Sequence, residues 1–281
     1  MKFNVSSSLE YDVISDSTLI LNVHALRTAG QVILEEAFTI EPYMRVEELN
    51  PVEGQGRYVR IEIPAATHFK VSYNALVDTA FKLVPAEEMP EVPVAKMENS
   101  LLPFLNPSRY CQSDKLYRLA NNKFGKIENP FEKVLALTNW IYKNVEYLSG
   151  STNSQTSAYD TVTEQAGVCR DFAHLGIALC RALTIPARYC TAYSYKLKPA
   201  DFHACFEVFL GGQWIIFDAT KLTPLNGLVK IASGRDAADA AIANMFGDVN
   251  FLSMSVNCEL AEDDFEPLFY TGKQLMGISY F

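Results

Sequence analysis

The architecture of the chain is read from Gly167-Val168-Cys169-Arg170-Asp171-Phe172-Ala173-His174-Leu175-Gly176-Ile177-Ala178-Leu179-Cys180-Arg181-Ala182-Leu183. Phe172, Leu175, Gly176, Leu179 and Leu183 recur at helical spacing, and Ile185-Pro186 ends the run because a proline pushes its predecessor out of the α region. The helix therefore starts at or near Cys169. Amide groups at a helix start have no intrahelical acceptor and the dipole end there is positive, so a thiol in that place ionises more readily and gains nucleophilicity. Cys180, three turns further along among apolar neighbours, reads as a structural thiol.

A nucleophilic thiol needs a base. His174 is near in sequence, but five residues at about 100° each put it roughly 140° round the helix from Cys169, so it reads as structural. His203 is the other choice. It opens His203-Ala204-Cys205-Phe206-Glu207-Val208-Phe209-Leu210, followed by Gly211-Gly212 and then Gln213-Trp214-Ile215-Ile216-Phe217-Asp218-Ala219-Thr220. Two aromatic, β-branched runs flanking Gly-Gly spell a hairpin. With the two glycines as the loop, Leu210 opposes Gln213 and Asp218 opposes Cys205. His203 lies two residues from Cys205 on the same face, so His203 and Asp218 are diagonal neighbours. A slip of one residue would separate them. A hydrogen bond to Asp218 would fix the imidazole tautomer and favour its charged form, as a base paired with a thiol requires.

Upstream the period changes. Phe3, Val5, Leu9, Tyr11 and Val13 alternate with polar residues, as do Leu19, Leu21, Val23 and Ala25, then Val59, Ile61 and Ile63, then Phe69, Val71, Tyr73, Ala75 and Val77. Period 2 in several short runs predicts an antiparallel β-sandwich. His24 and His68 stand alone in it and read as ordinary sheet histidines. Pro85, Pro90 and Pro93 with four glutamates make a linker, since proline is excluded from central strands and helix interiors. Beyond it, Ser113 or Asp114 can cap a helix stopped by Gly125, and Asn129-Pro130 opens a second. The polar loop 149–157 has the composition of a site border. The expected division is residues 1–98, a β domain with its linker, and 99–281, a core bearing the chemistry. The fold class is α+β.

The 281 residues carry 24 Lys and Arg against 33 Asp and Glu, a net charge of −9. This speaks against nucleic acid and anionic membrane as partners. No run approaches the roughly 18 to 20 apolar residues of a membrane span, and the first residues lack the apolar stretch of a signal peptide. A cytoplasmic location is expected, with the six cysteines as thiols. No Cys-x-x-Cys or His-Glu-x-x-His occurs, so neither metal nor cofactor is expected.

Gly167 to Ala173, Leu183-Thr184-Ile185-Pro186-Ala187-Arg188-Tyr189, His203-Ala204 before a Gly-Gly hairpin, and Trp214 followed by Phe217-Asp218-Ala219-Thr220 together resemble the transglutaminase-like superfamily, most closely its bacterial branch of cysteine proteases. The resemblance spans roughly Leu101 to Cys258, and Gly234 to Asp239 also fits that branch. It implies a papain-like core, with Cys169 as nucleophile, His203 as base and acid, and Asp218 as the orienting carboxylate. It also implies an N-terminal β domain. The usual glycine before Ile-Pro-Ala-Arg is Thr184 here, at a helix end where a non-glycine is strained. The Cys169 amide is the expected first oxyanion donor, with Gln165 one candidate for the second and a solvated loop residue on the other reading. The expected reaction is acyl transfer on a peptide or protein amide through a thioester. Hydrolysis is favoured, transamidation is the alternative, and an inactive binding module is the competing class. Neither the substrate's identity nor the oligomeric state follows from the residues.

Overall fold

The computed structural model describes residues 1–49, 55–262, 264–271 and 274–280. Among the described residues, seven strands precede the linker: β1 (Lys2–Val13), β2 (Ser17–Leu21), β3 (Gln31–Glu41), β4 (Val46–Leu49), β5 (Tyr58–Ile63), β6 (Thr67–Thr79) and β7 (Lys82–Pro85). The period-2 runs are what binds them. In the β1–β6 ladder Val5 faces Ala75, Leu9 faces Val71 and Tyr11 faces Phe69, all buried, while the intervening polar residues point to the other side. In the β2–β5 ladder Leu19 faces Ile61 and Leu21 faces Val59. β3 was not legible from alternation. It is a sheet edge, exposed along most of its length and carrying Glu35, Glu36 and Glu41, charges that discourage further strand pairing.

The second half begins with α1 (Ser113–Phe124) and α2 (Pro130–Asn144). Asn129 caps α2 as its sequence suggests, its side chain accepting the Glu132 N–H at 3.0 Å with Pro130 in the first position. Gly125 closes α1, yet with right-handed backbone (φ −59°). Next come β8 (Glu146–Tyr147), α3 (Ala158–Glu164), β9 (Ala166–Gly167), α4 (Cys169–Ala182), β10 (Ala187–Ser194), β11 (His203–Leu210), β12 (Gln213–Phe217), β13 (Leu228–Gly234), β14 (Ala243–Phe246), β15 (Val249–Leu260) and β16 (Met276–Ser279).

Three four-stranded antiparallel sheets result, with strand orders β15-β1-β6-β3, β14-β2-β5-β4 and β12-β11-β10-β13. The third carries α4 on one face. The helix comes close at Gly176, where a Cβ would sit 2.6 Å from the Phe206 ring. The first two sheets draw β14 and β15 from beyond residue 240, and β16 pairs with β7. Three strands of the later segment thus cross the division at residue 98. Tyr193 of β10 stitches the halves further, its hydroxyl donating to the Val23 carbonyl at 2.6 Å and meeting Ser7 Oγ at 2.9 Å. One apolar core runs through both.

Across β10, β11 and β13 a buried ion triad is set into that third sheet. Glu207 accepts from Arg188 at 2.6 Å and from Lys230 at 2.7 Å, and the Arg188 guanidinium lies 4.1 Å from the Trp214 ring centre. Among the described residues no helix is long and apolar enough to cross a membrane.

Candidate active site

Cys169 is the first residue of α4, after the N-cap Val168, and is half-buried. The Asp171 carboxylate folds back onto the helix start. One oxygen accepts the Val168 N–H at 2.9 Å, and the other accepts Thr152 Oγ1 at 3.1 Å and the Arg170 guanidinium at 3.3 Å. The loop before α4 is thereby fixed against the helix end, which gives the thiol a defined position.

The hairpin has the register that Gly211-Gly212 implies. Both glycines have positive φ, +58° and +83°, as a tight two-residue turn demands, Leu210 opposes Gln213, and the ladder runs to Phe206 opposite Phe217. One step beyond lie Cys205 and Asp218. His203, at the start of β11, places Nε2 3.0 Å from Asp218 Oδ2, with both side chains buried. An ionised carboxylate only accepts, so Nε2 carries the proton of that bond and Nδ1 is the ring atom left for the thiol. Nδ1 is buried with no other hydrogen-bond partner. Burial alone would lower the imidazole pKa. The Asp218 carboxylate, together with Cys205 and Cys169, outweighs it and holds His203 well above its usual value.

Asp218 is itself held. Its second oxygen accepts the Thr220 N–H at 2.8 Å and the Thr220 hydroxyl at 2.7 Å. Thr220 closes the Phe217-Asp218-Ala219-Thr220 motif. An aspartate followed two residues later by a hydroxyl donor is the pattern of a local turn, and that pattern is the signal that identifies it.

A second residue escaped the sequence reading. β8 and β9 form a short parallel ladder in which Tyr147 pairs with Gly167, and the Leu148 N–H donates to the Gly167 carbonyl at 3.0 Å. The Tyr147 ring consequently packs 5.8 Å from Phe172 on the first turn of α4. Burial first, and then Cys169, pushes its hydroxyl pKa up, against opposing contributions from His203 and the Cys169 backbone amide. Gln165 does not join them. It is exposed and caps α3 in the left-handed conformation.

His174 is buried and stacks on Tyr110 at 5.0 Å, while its Nε2 accepts the Ala237 N–H at 3.1 Å. Burial holds it well below its usual pKa, so it is neutral, as an acceptor must be. The other five cysteines are buried, and burial pushes Cys205 up to about 11 and Cys258 up to about 12. His203, Cys205 and Asp218 each present one ligand atom within 4.8 Å of the others, the spacing of a cation site among the described residues. Both Asp218 oxygens, however, are already engaged by His203 and Thr220.

Residues 1–100 match the model of the bacterial transglutaminase N-terminal domain, and residues 117–219 match that of the transglutaminase-like superfamily. A crystal structure of a "putative cysteine protease" from Cytophaga hutchinsonii is 57% identical, covering 100% of this chain and 98% of its own, with a TM-score of 0.98. The chain belongs to the transglutaminase-like superfamily. Its N-terminal sandwich and α+β core are those of the Cytophaga structure, and the thiol, imidazole and carboxylate lie within the segment matched by the superfamily. Two relatives are more distant. An uncharacterised protein of Mycobacterium leprae is 26% identical over 49% of this chain and 52% of its own length. One of Mycobacterium tuberculosis is 31% identical over 40% and 41% respectively. The chain therefore spans about half the length, or less, of these curated relatives.

Proposed function

We propose that the protein is a thiol-dependent acyl-transfer enzyme that hydrolyses peptide or protein amides. The observation that carries the reading is the buried His203–Asp218 hydrogen bond, which leaves Nδ1 free of other partners in a residue that lines one cleft with the half-buried, helix-heading Cys169.

In this mechanism Cys169 passes its thiol proton to His203 Nδ1, the sulfur attacks the amide carbonyl carbon, and the oxyanion that forms is met by the Cys169 backbone N–H and the Tyr147 hydroxyl. The C–N bond breaks as His203 passes the Nδ1 proton to the leaving amine, and a thioester remains. Water then attacks the thioester, gives a proton to Nδ1, and the acid leaves with the thiol regenerated. Asp218, anchored by Thr220, keeps Nε2 as the outward donor and the ring in place throughout. The name borne by the Cytophaga protein favours hydrolysis over transamidation. The free thiols suit a reducing compartment, and we read the protein as cytoplasmic.

The test is mass spectrometry of a peptide library incubated with wild type and Cys169→Ala, with and without an added primary amine. Hydrolysed amides in wild type alone support the reading. Amine adducts as the main product would assign transamidation, and equal turnover by Cys169→Ala would remove the nucleophile assignment.

A further inference from the structure

A cleft of about 580 Å³ opens beside Cys169 and His203. Its floor is the stretch between Ala237 and Ala243, held from below by the Ala237 N–H on His174 and by Thr191 Oγ1 donating to the Ala240 carbonyl at 3.1 Å. Six of the seven residues in that stretch line the cleft, five of them alanines, which leaves width for an extended peptide backbone, while the seventh, Asp239, lies outside the lining with its carboxylate held by Arg235.

The charge of the cleft runs against that of the chain. Among the described residues that line it are two arginines and no aspartate or glutamate, although acids exceed bases by nine overall. Both guanidiniums lie against the Tyr110 ring, Arg109 at 5.2 Å and Arg170 at 5.7 Å from its centre. Arg170 is internally balanced by Asp171 and the carbonyl of Asn153. Arg109 is exposed, and its hydrogen bond goes to the neutral Gln155 amide at 3.1 Å. The nearby Asp236 is sealed beneath, its oxygens taken by the Tyr110 and Ala238 N–H groups. Asp201 sits at the His203 end, two residues along the chain.

We propose that this cleft binds the acyl side of its substrate through a carboxylate-bearing side chain, with Arg109 as the counter-charge, so that acidic peptides are the preferred acyl donors. The assignment rests on Cys169 being the nucleophile. A carboxylate that meets the exposed Arg109 guanidinium makes a charge-assisted contact, beside a lining that holds no competing acid among the described residues.

Peptidyl chloromethyl ketones carrying glutamate, glutamine or lysine at the first, second or third residue from the reactive carbon test this without requiring turnover, with labelling of Cys169 followed by mass spectrometry. Wild type is expected to react about tenfold faster with a glutamate reagent than with its lysine counterpart at one of the three positions. Arg109→Lys keeps that preference, Arg109→Gln erases it, Arg109→Glu inverts it, and high salt weakens it in wild type. Equal rates for glutamate and lysine reagents at every position, or a preference unchanged in Arg109→Gln, overturns the subsite alone. Failure of every reagent and of iodoacetamide to label Cys169 overturns the nucleophile reading and the subsite with it.

Discussion

His203 Nε2 and Asp218 Oδ2 stand 3.0 Å apart with both side chains sealed from solvent, and the carboxylate has no freedom to turn away because Thr220 holds its other oxygen from two atoms. The imidazole is thus oriented by a group that is itself oriented.

Asp218→Asn removes the charge and keeps the shape. A fall of about 10²- to 10⁴-fold in kcat is expected, the range seen when the orienting carboxylate of such a triad is neutralised. His203 is held above its usual value by Asp218, so the charged ring contributes stability that is fully present below about pH 6.5 and is lost as pH rises through the raised folded value. In the variant, the alkaline limb of the pH dependence of kcat/KM, where the ring loses the proton it gives to the leaving amine, moves to lower pH. An unmoved limb would show that Asp218 does not govern the ring.

Tyr147→Phe deletes one hydroxyl at the edge of the site. With that hydroxyl acting on the oxyanion, kcat falls by about 10² while KM and the rate of iodoacetamide alkylation stay near wild type, since alkylation develops no oxyanion. A parallel loss in alkylation would instead assign Tyr147 to positioning the thiol.

Glu207→Gln tests the buried triad. Burial by itself would raise the Glu207 carboxyl, but Arg188 and Lys230 override it and hold the pKa at about 2. Its contribution is therefore complete above about pH 4.5 and lost as pH falls toward 2. Neutralising it leaves two buried cations uncompensated, at a cost of about 3–5 kcal/mol. Thermal melts between pH 7 and pH 2 should show a lower Tm for the variant at neutral pH, with the two curves converging in acid.

Thr184 carries its departure from the family's glycine as strain: its φ is +63°, and its side chain is exposed. Thr184→Gly relieves roughly 1–2 kcal/mol of left-handed strain against roughly 0.4–1 kcal/mol of added unfolded-state entropy. A net gain of about 0.5–1 kcal/mol in denaturant unfolding is expected, with activity unchanged.

What could be read from the residues followed from local constraints. Gly211-Gly212 fixes a turn, the turn fixes a register, and the register places His203 beside Asp218. Asn129-Pro130 and the Ile185-Pro186 stop work in the same way, through one or two residues with unusual backbones. What stayed hidden depends on contacts between distant pieces too short to show a period. Tyr147 reaches the first turn of α4, against Phe172, only because two residues of β8 pair with two of β9, about twenty positions later. The polarity of the cleft is equally unreadable, since Arg109 and Ala237 to Ala243 meet only after folding. β3 lacks alternation because neither of its faces is consistently buried.

The alanine floor does not end at the cleft. It runs on into β14, which is hydrogen-bonded to β2, and then into β15, paired with β1 from Val249 to Leu260. The groove that would receive a substrate is therefore tethered at its far end to strands within the first twenty-one residues of the chain. A fragment cut at residue 99 would release that tether and leave an eleven-rung ladder without its partner strand. The sandwich is in this sense a clamp on the cleft beside Cys169, and a cut between the halves would take away the strands that hold the cleft's far end.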